Sequence, residues 1–156
     1  MKVFLVILVL GMVALAQGSP SAQPDEKPIQ QLVSSFVNAW NVHDAHAFAE
    51  TFAEDADFTN VFGVGAHGRA GIEQFHAQVF ATIFKQSHQT TTEIRTRFIN
   101  PDIASVDVHW EITGSTAPDG TPIPLRQGLL NWLVTNHGGH WLITVMHNQN
   151  LAPRQP

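Results

Sequence analysis

Apolar positions recur at helical spacing early in the chain. Ile29, Leu32, Val33, Phe36, Val37 and Trp40 gather on one face of a helix over residues 28–40. Pro28 suits its first turn, where the missing N–H would have no partner anyway. The period breaks at His43-Asp44, and Asp44 is placed to cap a second, shorter helix by accepting backbone N–H bonds. That helix carries Phe48 and Phe52 one turn apart, then yields to a β-type run over 57–62. A Gly-rich loop, Gly63 to Gly68, precedes a third helix predicted over 70–84, with the stripe Ile72, Phe75, His76, Val79, Phe80 and Ile83.

From residue 88 the period changes to two. Thr90–Phe98 alternates, and Asn100-Pro101-Asp102 is turn chemistry. In Ile103–Gly114, Val106, Val108, Trp110 and Ile112 share one face, and Asp107, His109 and Glu111 the other. Strands over 125–136 and 140–149 flank Gly138-Gly139, a hairpin turn where glycine permits positive φ. Helices first and an antiparallel meander afterwards make an α+β layout.

The first residues change the picture of where this domain works. Lys2 begins a short basic start, Val3 to Ala14 is almost wholly apolar, and Ala14-Leu15-Ala16 has the A-x-A form of a cleavage site. The expectation is a signal peptide over 1–16, a flexible linker over 17–27, one folded domain over 28–151 and a disordered tail over 152–156. The product would be secreted or periplasmic, with no membrane attachment after cleavage. The chain has no Cys, so disulfides cannot help, and the apolar core must carry the fold alone. A formal charge of −5 with scattered Lys and Arg makes nucleic acid a poor partner.

Particular residues carry a resemblance. Trp40 with His43-Asp44, Phe52-Ala53-Glu54-Asp55-Ala56, Gly68-Arg69-Ala70-Gly71-Ile72 with His76, Trp110, and Trp141 through His147-Asn148 look like the SnoaL-like, SgcJ/EcaC-type group. That group lies in the nuclear transport factor 2-like superfamily, with ketosteroid isomerase, scytalone dehydratase and the polyketide cyclases. The resemblance covers nearly all of the chain after residue 16. It implies a cone-shaped barrel, in which three N-terminal helices pack on a curved, mostly antiparallel sheet around a deep pocket. It also implies a homodimer packed sheet to sheet. The fold hosts enzymes, binders and assembly domains alike, so function must come from the site.

Three residues are candidates for catalysis. His76 sits in an apolar stripe, as either a neutral core histidine or a pocket-lining base. Asp57 stands where the fold would face the cone's interior, suited to removing a proton beside a carbonyl, as the Asp base of ketosteroid isomerase does. His147 extends the alternation of Trp141, Ile143 and Val145, and Asn148 takes the opposite face. Trp40, Phe52, Asn60, Phe80, Trp110 and Asn148 are the expected ligand-binding set.

Against an enzyme, residues 125–149 contain no Asp or Glu. Gly63, Gly65 and Gly68 spell G-x-G-x-x-G, but the polar strand before them and the meander after them do not make a dinucleotide-binding unit. The paired histidines His43/His46 and His137/His140 lack a third ligand, so no metal and no cofactor is called for. The favoured reading is a secreted binder of a small apolar molecule, with Asp57, His76 and His147 as polar handles. The alternatives are a cofactor-free acid/base enzyme and a dimerising module with a vestigial pocket.

Overall fold

The computed structural model describes residues 25–152. The segments expected to be a signal peptide (1–16), a linker (up to residue 24) and a tail (from residue 153) lie outside the described residues. The elements run α1 (Lys27–Asn41), α2 (Ala45–Ala49), β1 (Phe52–Thr59), β2 (Gly65–His67), α3 (Gly68–Ala81), β3 (His88–Asn100), β4 (Ile103–Thr113), β5 (Arg126–His137) and β6 (His140–Asn150). The six strands form one curved, unclosed sheet in the order β2-β1-β6-β5-β4-β3. Only the β1–β6 pair is parallel. The α+β class and the mostly antiparallel sheet are as the sequence implies.

Local chemistry makes the corner between α1 and α2. His43 takes the left-handed conformation at φ 56°, and its N–H donates to Trp40 O at 2.9 Å while Asp44 N–H donates to Ala39 O at 3.0 Å. These two bonds close the last turn of α1 in the manner usually left to glycine. Asp44 then caps α2, its Oδ1 accepting from Ala47 N–H at 2.9 Å. Asp44→Ala is expected to cost about 1 kcal/mol, read as a lower urea midpoint. A change below a few tenths would mean that α2 is held by packing alone.

The first strand starts earlier than its composition suggests. Phe52 belongs to β1, not to the second helix, because that helix is a single short turn ending at Ala49. The glycine string likewise contains a strand: β2 pairs antiparallel with β1, Phe58 opposite Ala66. Gly63 and Gly68 bracket it at φ 76° and 73°, values that a residue with a Cβ rarely adopts.

The helices cover the sheet's inner face. Phe36, Phe48, Phe52 and Trp132 meet in the core with ring centroids 4.5–6.2 Å apart. The inner face of β4 is the set Ala104, Val106, Val108, Trp110 and Ile112, all buried. The outer set includes Asp107 and Glu111, which accept from Asn131 and Gln127 on the same outer side. Gly138 and Gly139 both take positive φ and turn β5 into β6.

Candidate functional site

A cavity of about 350 Å³ lies between the inner sheet face, α1 and α3. Its inner part is built from Phe36, Trp40, Phe58, Phe75, Leu130 and Met146. Phe62, 79% exposed, marks the opening. Arg126 lies there too, bordering both the cavity and a shallow surface depression with Leu125 and Leu151. No Asp or Glu stands in the cavity wall among the described residues.

His76 is 2% exposed on α3. The rings of Phe48, Phe58, Phe75 and Phe80 stand 4.1–5.7 Å from its own, and Trp40 stands 6.3 Å away. Its Nδ1 is 2.8 Å from Ile72 O. A carbonyl can only accept, so Nδ1 carries the proton and Nε2 is left as an acceptor. Burial lowers the imidazole's pKa from 6.5 to about 4, which the bond to Ile72 offsets only in part. The ring is therefore neutral near pH 7.

Polar positions on the wall are held by specific bonds. Asn60 Oδ1 accepts from the backbone N–H groups of Phe62 and Val64, at 2.9 and 3.0 Å, and so shapes the loop at the opening. Trp110 Nε1–H donates to Asn148 Oδ1 at 3.0 Å. Asn41 pairs both ends of its amide with the backbone of Gln89, at 2.7 and 2.9 Å, which fixes the start of β3. Gln89 is 3% exposed, lines the cavity, and its Nε2 has no hydrogen-bond partner. Arg126 sets its guanidinium 5.7 Å from the Trp110 ring and donates through Nη2 to Asn150 Oδ1 at 2.8 Å.

Of the expected site residues, Trp40, Asn60, His76, Trp110 and Asn148 line this cavity. Phe52 and Phe80 do not; they are buried behind it, Phe80 edge-on to Trp40 with ring centroids 5.0 Å apart.

Two placements need correction. Asp57 is exposed on the outer side of β1, accepting from His67 Nδ1 at 2.8 Å, while its neighbour Phe58 turns inward. The irregular register of β1 against β6 between Phe52 and Asp57 sets that phase. His147 is exposed on the outer face as well. Leu133 pairs with Val145 but Val134 with Ile143, so Thr144 is an extra residue in β6. The bulge reverses the alternation, sending Met146 and Asn148 inward and His147 outward. His76 is therefore not joined by Asp57 or His147.

Sequence reasoning missed Arg126 and Gln89. Arg126 shares the inward phase of Gly128, Leu130 and Trp132, and a charged residue on a buried phase was the available signal. Among the described residues, no group of three or more His, Asp or Glu side chains is arranged to hold a metal ion.

The family model for the SnoaL-like domain matches residues 33–137. The chain belongs to this SnoaL-like family. Its fold is that of the nuclear transport factor 2-like superfamily, also described as cystatin-like. It is similar to an uncharacterised protein with a cystatin-like fold from Caulobacter vibrioides: 31% identity, TM-score 0.75, covering 81% of this chain and 89% of that one. A domain of unknown function from Nostoc punctiforme gives 28% identity and TM-score 0.72, covering 86% and 81%. LinA shares the fold at 17% identity and TM-score 0.75, covering 81% and 86%. No curated protein matches the sequence.

Proposed function

We propose that this SnoaL-like protein binds a small, largely apolar molecule inside the cone. The observation that carries this reading is the cavity of about 350 Å³, walled by aromatic and aliphatic side chains with a few polar groups. That size and composition are usual for small-ligand sites. His76 Nε2 is the deep acceptor, suited to a ligand hydroxyl. Export and pairing with a second copy, read from residues 1–16 and from the family resemblance, belong to the same proposal.

An acid/base enzyme finds less support. A base working near neutral pH needs a pKa near that pH, and His76 is held far below it. Its Nδ1–H is spent on a backbone carbonyl, so no carboxylate stabilises the imidazolium that proton transfer would form.

The test uses the neutral dye N-phenylnaphthylamine, whose fluorescence rises in apolar surroundings. Saturable enhancement is expected with the native protein. Val79→Trp, which puts an indole into the cavity from α3, should weaken it at least about tenfold while the melting transition survives. No saturable enhancement, or equal binding by a folded Val79→Trp, would overturn the reading.

A further inference from the structure

We infer that the ligand is an amphipathic acid whose apolar body fills the cone and whose carboxylate sits at the opening against Arg126. This rests on the cavity reading above and adds the head group and its direction.

The polar inventory of the wall is the argument. Trp110 Nε1–H can only donate, so Asn148 must turn its oxygen to it and keep its NH₂ unspent. The backbone N–H groups of Phe62 and Val64 can only donate, so Asn60 is oriented the same way. Gln89 is mixed: its Nε2 is buried without a partner and no bond engages its Oε1, so this amide can donate or accept. Arg126 spends only Nη2, on a neutral amide, and none of the ion pairs among the described residues includes it. Apart from the deep Nε2 of His76 and the amide of Gln89, the unspent side-chain groups on the wall are donors. An acceptor-only group complements them, and a carboxylate facing a guanidinium fork is the strong form of that match.

Register places these groups near one another. Gln89 pairs with Ile112 and Ile112 with Arg126, so Gln89 and Arg126 flank one residue across three strands. Asn148 pairs with Leu130, on the inward phase of β5 that Arg126 also follows. With no Asp or Glu in the wall, nothing there neutralises the cation or attracts an amine. Burial lowers the pKa of Arg126, the mark of a positive charge with incomplete compensation. The Trp110 ring beneath the guanidinium holds the fork in place.

The experiment displaces bound N-phenylnaphthylamine with decanoate, decanol or decylamine, which share one chain length and differ in head group. Decanoate is expected to act at about tenfold lower concentration than decanol, with decylamine the weakest. Added salt should shrink that advantage, because Arg126 is only half-buried. In Arg126→Gln the advantage of decanoate over decanol should vanish. Arg126→Lys should keep part of it, having the charge without the fork.

Equal displacement by decanol and decanoate in the native protein, or a decanoate advantage surviving in Arg126→Gln, would overturn the head-group inference and leave the cavity reading standing. Failure of the dye itself to bind would remove both.

Discussion

Acidification from pH 6.5 toward 4 is expected to cost the fold about 3 kcal/mol through His76 alone. In the unfolded chain this imidazole takes up its proton near pH 6.5; in the folded chain burial holds it neutral down to about pH 4. Over that interval the unfolded state binds the extra proton and is favoured. The stability is complete above 6.5, declines as pH falls, and levels off below about 4. The rings of Trp40, Phe48, Phe58, Phe75 and Phe80 pack against His76, and none of them offers a charge to offset the loss. His46 works the other way, its pKa raised chiefly by the hydrogen bond to Glu73, but that pair is exposed and contributes little.

Replacing His76 by Leu should flatten this dependence. Ile72 O keeps its helical N–H partner in that variant, and a buried polar ring is exchanged for an apolar side chain. Stability at about pH 7 should therefore hold or rise. Urea midpoints for both proteins at about pH 7 and about pH 4.5 decide the matter. An acid slope that persists in His76→Leu would assign the sensitivity to another group.

Much of the fold was legible because it depends on periodicity. The stripe Ile29, Leu32, Val33, Phe36, Trp40 and the alternation Val106, Val108, Trp110, Ile112 each identify one buried face, and those faces meet in the structure. His76 was legible for the same reason, as a polar residue inside an apolar stripe. What escaped was phase. A strand's facing flips with one extra residue, and the extra residue at Thr144 has no signature in Trp141-Leu142-Ile143-Thr144-Val145. His147 therefore read as inward when it points out. Phe48 and Phe52 are four apart, as on a helix, yet the helix stops at Ala49 and Phe52 enters the sheet. Starting β1 too late displaced Asp57 in the same way.

The corrected phase also alters the chemistry. With Asp57 and His147 outside, the wall keeps one neutral histidine and one arginine, and the carboxylate that proton abstraction would use is missing from it. The residues that remain suit the binding reading proposed above. That difference separates this pocket from the isomerase pattern more firmly than the fold could, because the fold is shared.

Gly128→Ala is expected to be the most damaging single methyl in the sheet. Gly128 faces Trp110 across β4 and β5, and a Cβ there would run into the Trp110 ring and stand 2.5 Å from Gln149 O. The first obstacle is a bulky side chain locked by its bond to Asn148, and the second is backbone, so neither yields cheaply. The expected cost is about 3 kcal/mol, the upper end for overpacking. Because the indole rests on this glycine, its displacement should also break the Trp110–Asn148 bond and remove the ring beneath Arg126. Dye binding should then weaken in whatever fraction stays folded.

Combining the change with Trp110→Ala separates the two obstacles. Removing the ring should recover part of the loss, so the double variant is less damaged than the sum of the single ones. The carbonyl of Gln149 accounts for what is not recovered. Simple additivity in urea unfolding would mean that the indole is free to move aside, and the glycine would then serve only the approach of β6.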